Sequence, residues 1–321
     1  MPSDNDLLSL LPIELQSRVQ TLRASEGVAT LVLDGSGLDA SGRAALQDAC
    51  RQALTAAPHV SEVRVAVMGE KLRRRVVAIA SGKGGVGKST LTANLAVALH
   101  AMGHKVGVVD ADVYGPSQPR LLASEGAKPQ AKDKQLIPVR GHGGIPMLSM
   151  GHLVDADKAL AWRGPMAAGA LTQLMEADWG SAELLLMDLP PGTGDVQITM
   201  VQKFRPDGAV VVSTPQDLAL IDARRAMQLF AQVDVPIIGM VENMSGYICP
   251  HCGETSDPFG TGGVAAEAEK LGLPLLGQIP LAPSIRQASD AGQPVADGGE
   301  MADHYVSIAK QLADWLAKDP A

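Results

Sequence analysis

Gly82-Lys83-Gly84-Gly85-Val86-Gly87-Lys88-Ser89 fits the pattern G-x-x-x-x-G-K-[ST] at every fixed position. It follows an aliphatic run, Val76 to Ala80, and opens a segment in which Leu91, Leu95, Leu99 and Met102 recur at helical spacing. Strand, glycine turn and helix in that order make a phosphate-binding loop, with Thr90 as the next residue along. Glycines let the backbone curl until its N–H groups converge on phosphate oxygens, and the helix N-terminus adds a positive dipole. Lys88 is expected to bridge the β- and γ-phosphates of ATP, and the Ser89 hydroxyl to ligate Mg2+. A merely flexible glycine-rich turn is the bland alternative, and motif and context together weigh against it.

The same alternation continues outward from the loop. Lys105 to Val109, Leu184 to Met187, Ala209 to Ser213, Ile237 to Val241 and Leu275 to Ile279 are short and aliphatic, and read as buried strands separated by helical patterns. Such an order implies right-handed crossovers and an α/β fold, a doubly wound, mostly parallel sheet that binds ligands beyond the carboxyl ends of its strands. Asp110-Ala111-Asp112, Asp188, and Glu242-Asn243-Met244-Ser245 all fall at such ends. Carboxylates there can hold Mg2+ through water or orient a nucleophile, although acids at strand ends also cap helices and form turns. The Asn243 amide can match a donor and an acceptor on adenine, although a lone Asn after a strand is usually a turn.

Residues 1–70 read as a separate, small α+β unit, and 71–321 as the nucleotide-binding domain. In the first, Val28 to Leu33 is strand-like, Asp34 to Gly37 is turn chemistry, and Ser41 to Ala56 is helical with Leu46, Cys50 and Leu54 on one face. Val63, Val65 and Val67 then alternate as a strand. Cys50 on that stripe reads as a buried small hydrophobe. Lys71-Leu72-Arg73-Arg74-Arg75 reads as a solvated connector.

Composition narrows the function. Of 321 residues, 46% are hydrophobic, 19% charged and 3% aromatic, the profile of a packed globular chain. Lys and Arg total 27 against 35 acids, for a net charge of −8, which argues against a nucleic-acid surface. Asp4 and Asp6 stand where a secretory leader needs basic residues, and no apolar run approaches the roughly 20 residues of a membrane span. A cytoplasmic protein without a membrane partner is expected. Three cysteines are too few for a disulfide framework, and Cys249-Pro250-His251-Cys252 places two thiols within reach of one soft metal centre. An iron–sulfur cluster, zinc and thiol redox chemistry are all open to such a pair.

Lys83 completes the signature K-G-G-x-G-K-[ST], in which the sequence resembles the deviant Walker A ATPases. The resemblance implies that Lys83 reaches across a homodimer to the phosphates bound by the second protomer, joining nucleotide binding to dimer closure. It also implies that Asp188 is the Walker B aspartate, holding Mg2+ through water, that Asp112 orients the attacking water, and that Asn243 contacts adenine. With D-A-D-x-x-G-P-S (Asp110 to Ser117), D-x-P-P-G-T-G-D (Asp188 to Asp195), E-N-M-S and the C-x-x-C after it, the stretch Arg75 to Lys318 is similar to the Mrp/ApbC-type iron–sulfur cluster carrier ATPases. That likeness covers about three quarters of the chain. It implies a slow ATP hydrolase that takes clusters from an assembly scaffold to apo iron–sulfur proteins, with Cys249 and Cys252 of two protomers holding a bridging [4Fe–4S] cluster. The counting agrees, because a cubane wants four thiolates and one chain offers only two close together. The N-terminal unit resembles the small domain that often precedes such ATPases, without the Asp-Pro-Glu expected near its start. Partitioning or positioning ATPases, or a zinc-CxxC ATPase without cluster transfer, are the rival readings. The helix expected at Met301 to Lys318 lacks the basic charge for anionic lipid, and Arg224-Arg225 is the only arginine pair beyond the connector.

Overall fold

Val77 and Ile79 of strand β4 (Arg75–Ser81) join one hydrophobic cluster, Val76, Ala78 and Ala80 join another, and all are buried. A strand covered on both faces belongs inside a doubly wound sheet. The computed structural model describes residues 4–25, 27–38, 40–58, 60–68, 74–132, 135–153 and 164–318. The chain divides into two units, Met1–Arg73 and Arg74–Ala321.

In the first unit a three-stranded sheet is ordered β1 (Val19–Ser25), β2 (Val28–Asp34), β3 (Glu62–Met68). The β1–β2 pair is antiparallel and β2–β3 parallel, the latter joined through helix α3 (Ala40–Thr55), with short helices α1 (Asp4–Ser9) and α2 (Ile13–Gln16) ahead of them. Leu46, Cys50 and Leu54 of α3 pack with Leu31, Leu33 and Leu7, so Cys50 is a core residue. Burial pushes its thiol above the usual range. Strand β1 was not legible in the sequence, because its residues are mostly polar and exposed.

The second unit begins with β4 and helix α4 (Lys88–Ala101), followed by β5 (Val106–Asp110), α5 (Gln118–Leu121), a hairpin of β6 (Gln130–Lys132) and β7 (Gln135–Ile137), β8 (Val139–Arg140), β9 (Pro146–Ser149), α6 (Met150–Leu153) and α7 (Gly164–Met175). It continues with β10 (Leu184–Asp188), α8 (Asp195–Phe204), β11 (Gly208–Ser213), α9 (Asp217–Ala231), β12 (Ile237–Ile248), β13 (Thr255–Ser256), α10 (Gly263–Leu271), β14 (Leu275–Leu281), α11 (Pro283–Asp290) and α12 (Ala302–Lys318). Among the described residues the main sheet has nine strands, with β12-β11-β4-β10-β5-β9-β8 in order, β14 running along β12 from Met240 to Tyr247 and β13 beside its end. All pairings are parallel except those of β8 and β13. Helices α4 and α12 cover one face, α7 and α8 the other. Chain order and sheet order therefore reverse around β4, and the crevice there opens at the phosphate loop.

Three expectations need correction. The strand ending at Val241 runs on to Ile248, so Asn243 lies within β12 and not in a turn after it. Pairing with β14 and then β13 prolongs it, and left-handed backbone at Met244 (φ 59°) and Gly246 (φ 77°) kinks it without ending it. Of the supposed connector, Lys71 to Arg73 lie outside the described residues, but Arg74 and Arg75 are not solvated linker. Arg74 donates to the carbonyls of Ala182 (3.0 Å) and Gly180 (2.9 Å), and Arg75 opens β4 with its guanidinium 3.3 Å from Asp207 and stacked 5.3 Å from the Trp315 ring. Strands β6 to β9 and β13 escaped notice because two to four residues are too few to show a period.

The last helix buries Tyr305, Ile308, Ala309 and Leu312 against the core, so its apolar face is already used. Arg224 is paired with Glu267 at 2.5 Å and Arg225 with Asp222 at 3.0 Å. Among the described residues no helix is long and apolar enough to cross a membrane.

Candidate functional site

Backbone shape makes the phosphate loop. Gly85 (φ 78°) and Gly87 (φ 85°) adopt left-handed conformations that residues with a Cβ disfavour, which turns the chain from β4 into α4. Gly87 is needed twice over, since a methyl there would run into the Asn243 side-chain amide. That amide donates to the Val86 carbonyl at 2.8 Å, so β12 braces the loop from the side. Gly82 abuts the Asp222 carbonyl and the Ala223 nitrogen of α9, atoms that cannot swing aside. Gly82→Ala is expected to cost about 3 kcal/mol and to lower Tm by about 10 °C. Thermal unfolding checks this, and an unchanged Tm would contradict so close an approach.

Lys88 and Asp188 form a buried ion pair at the centre of the crevice. Thr92 donates from Oγ1 to Asp188 at 3.4 Å, and Lys88 lies 3.3 Å from the Ser89 hydroxyl. Gln118 donates to Asp188 Oδ2 at 2.8 Å and to the Ser89 carbonyl at 2.9 Å. Asp110 is fully buried next to this group and accepts from Ser149 Oγ at 2.8 Å and from the Gln118 N–H at 3.1 Å. Burial, then the Asp188 charge, pushes its carboxyl up to about 7. Asp112 accepts at Oδ1 from the N–H groups of Tyr114 (3.0 Å) and Gly115 (3.1 Å), which fixes its carboxylate at the cleft wall.

The cleft itself encloses about 550 Å³ and is lined by Lys83, Gly84, Gly85, Gly87, Lys88, Ser89, Thr90, Asp112 and Asn243. Its wall also brings Met244 of the E-N-M-S segment together with Pro280, Ile285 and Arg286, and these last three were not singled out by sequence, because they come from β14 and α11 without a motif of their own. Lys83 donates to Gln216 Oε1 of its own chain at 3.3 Å. The Ser89 hydroxyl and the Asp188 carboxylate are oxygen donors, the chemistry a hard cation such as Mg2+ requires, and the first turn of α4 offers unpaired N–H groups to phosphate.

Beyond Asn243 the same strand leads to the cysteines. Glu242 at its centre is buried and accepts from Ser245 Oγ (2.7 Å), Gln278 Nε2 (2.7 Å) and the N–H groups of Val264 (2.8 Å) and Gly262 (3.1 Å). Burial would raise its carboxyl, but those four donors outweigh it and hold it low. Glu242 thus pins the base of the arm to α10 and β14. At the tip, Cys249 and Cys252 sit in the turn between β12 and β13, closed by Cys249 N–H to the Glu254 carbonyl at 2.9 Å and Gly253 N–H to the Cys249 carbonyl at 2.9 Å. Cys249 is half-buried and Cys252 exposed. The N–H groups of Cys252 and His251, then the Cys252 thiol, hold the Cys249 thiol below the usual range. No group of three or more metal-ligating side chains occurs among the described residues. A strand and not a helix follows the pair, unlike a dithiol set at a helix N-terminus.

The three thiols should therefore separate by reactivity. Cys249 is expected to alkylate with a pH midpoint below the usual value of about 8.5, and buried Cys50 to resist alkylation in the folded protein. Peptide mass spectrometry across a pH series checks both, and a Cys249 midpoint above that of a simple thiol would contradict the N–H contacts.

The family model described as ParA, NUBPL iron-transfer P-loop NTPase, matches residues 73–313. The iron-sulfur cluster carrier protein of Escherichia coli strain K12 is 47% identical over 246 residues, which cover 76% of this chain and 66% of that protein. The chain thus spans just under two thirds of that relative. The iron-sulfur cluster carrier protein of Methanocaldococcus jannaschii is 45% identical over 248 residues, covering 76% of this chain and 85% of the relative. The Arabidopsis thaliana iron-sulfur protein required for NADH dehydrogenase, mitochondrial, is 48% identical over 247 residues, covering 75% and 78%. Among solved structures, a nucleotide-binding protein from Archaeoglobus fulgidus in complex with ADP superposes with TM-score 0.63 at 37% identity, covering 72% of this chain and 91% of that one. The septum site-determining protein MinD of Pyrococcus horikoshii, with Mg-ADP, superposes with TM-score 0.56 at 23% identity, covering 77% and 100%, and shares the fold.

Proposed function

The chain belongs to the NUBPL iron-transfer P-loop NTPases of the ParA family, and from that premise we propose that it is a cytoplasmic carrier that receives an iron–sulfur cluster from an assembly scaffold and hands it to apo iron–sulfur proteins, with ATP binding and slow hydrolysis by a homodimer. The observation that carries this is the pair Cys249 and Cys252, one thiol already poised toward thiolate, on the arm of the strand whose Asn243 braces the phosphate loop.

In this reading ATP lies along the cleft with its phosphates over Gly84 to Thr90 and its base toward Asn243, Met244 and Pro280. Lys88 meets the β- and γ-phosphates from its place beside Asp188. Lys83 crosses to the nucleotide of a second protomer, and Asp112 orients the water. Ser89 and Asp188 would hold Mg2+, which supplies charge compensation when bound. The cargo is a [4Fe–4S] cluster held by two cysteines from each of two chains, since thiolates are the soft ligands it requires. Because β12 runs from the nucleotide wall to the turn that carries the thiolates, a change at Asn243 can reach the cluster; couplings of this kind are typically about 1–3 kcal/mol.

Anaerobic reconstitution with ferrous iron and sulfide tests the proposal. A thiolate-to-iron absorption band, a doubling of mass in solution and delivery to an apo iron–sulfur protein are expected. A protein that keeps zinc and develops no band would end the carrier reading while leaving the nucleotide site.

A further inference from the structure

Gln118 is completely buried at the first position of α5. Its amide nitrogen donates to Asp188 Oδ2 at 2.8 Å and to the Ser89 carbonyl at 2.9 Å, and its own N–H donates to Asp110 at 3.1 Å. Both side-chain partners are acceptors, so the nitrogen must face them and Oε1 must face away. Oε1 is buried and has no hydrogen-bond partner among the described residues. A bare buried amide oxygen is costly, and an apolar side chain of the same size would avoid that cost.

The two groups that the amide grips belong to the residues assigned above to Mg2+. We propose that Gln118 is a positioning residue for the metal–nucleotide complex, its nitrogen holding the Asp188 carboxylate and the Ser89 backbone in one frame. The inference rests on the nucleotide reading of this site. It also gives the loop after β5 a second task, since Gln118 and Asp112 flank the same short segment and tie metal and nucleophile positions together.

Gln118→Met keeps length and removes both polar functions. Loss of such an outer partner typically weakens metal binding about 10–100-fold, so the Mn2+ dissociation constant of the ADP complex, read by electron paramagnetic resonance, should rise about tenfold or more, while ADP affinity in EDTA stays within about twofold. A folded variant with wild-type Mn2+ affinity would overturn the proposal, as would an equal loss in EDTA. If that variant does not fold, Gln118→Asn retains the amide but draws it back by one methylene, and the same weakening is expected; unchanged Mn2+ binding there would overturn the proposal equally. A wild-type protein that binds no ADP, with or without Mg2+ or Mn2+, would instead remove the nucleotide reading itself.

Discussion

Lys88→Ala is expected to slow ATP turnover about 10²–10³-fold, the usual loss when one preorganised charge at a transferring group is removed. Its amine is buried, 5% exposed, and ion-paired with Asp188, so no neighbouring side chain replaces it without rearrangement. The substitution does more than remove a phosphate contact. It strands the Asp188 carboxylate, fully buried, with Gln118 and Thr92 as its remaining side-chain donors among the described residues. Breaking a buried pair from one side costs about 3–5 kcal/mol, which corresponds to a Tm loss of about 10 °C for a domain of this size. Catalysis and stability then separate in a second variant. Lys88→Ala with Asp188→Asn removes the stranded charge and should recover most of the lost Tm while recovering no turnover. Phosphate release and thermal unfolding, measured on the same preparations, check both halves. Normal hydrolysis by Lys88→Ala would refute the phosphate-loop assignment, and a double variant no more stable than the single one would refute the ion-pair account.

Cys249→Ala and Cys252→Ala are each expected to abolish retention of the reconstituted cluster, with the iron-thiolate band falling more than about tenfold. Symmetry makes the single substitutions this severe. In a twofold site every change is made twice, so either one removes two of the four sulfur ligands. The folded chain should barely notice, because Cys252 is exposed and Cys249 only half-buried, and such surface changes stay within about 0.5 kcal/mol. Mixed dimers of wild-type and Cys249→Ala chains sharpen the test. A bridged cluster keeps three thiolates in the mixed species, so retention should fall between that of the two pure dimers and should vary nonlinearly with the fraction of variant chain. Strict proportionality to the wild-type fraction would mean that each chain holds its metal alone, and bridging would be lost.

Much of this was legible because it is local. Gly82 to Ser89 dictates its own bend, since left-handed glycines and a helix start need nothing beyond a few neighbours in sequence. The aliphatic run Val76 to Ala80 announces a strand buried on both faces, and Asp110, Asp112 and Asp188 announce themselves by standing at or just beyond the ends of such strands. The two cysteines are legible as a pair for the same reason. Asn243 was found by its position after an aliphatic run, although the strand swallows it. By contrast, the low-lying thiol of Cys249 depends on two N–H groups that face its sulfur only once the turn is closed.

What the sequence alone determined, then, is the inventory: a phosphate loop, an α/β order of elements, carboxylates at strand ends and a thiol pair. Tertiary structure decided who meets whom. Lys88 and Asp188 are 100 residues apart, Asn243 and Val86 are 157 apart, and Gln118 reaches Asp188 across 70. Those meetings follow from strand order, which sets β4 between β10 and β11 and carries β12 past the loop toward the cysteines. Backbone shape over a few residues is governed by local sterics, whereas contacts between distant side chains are set by how whole strands and helices pack.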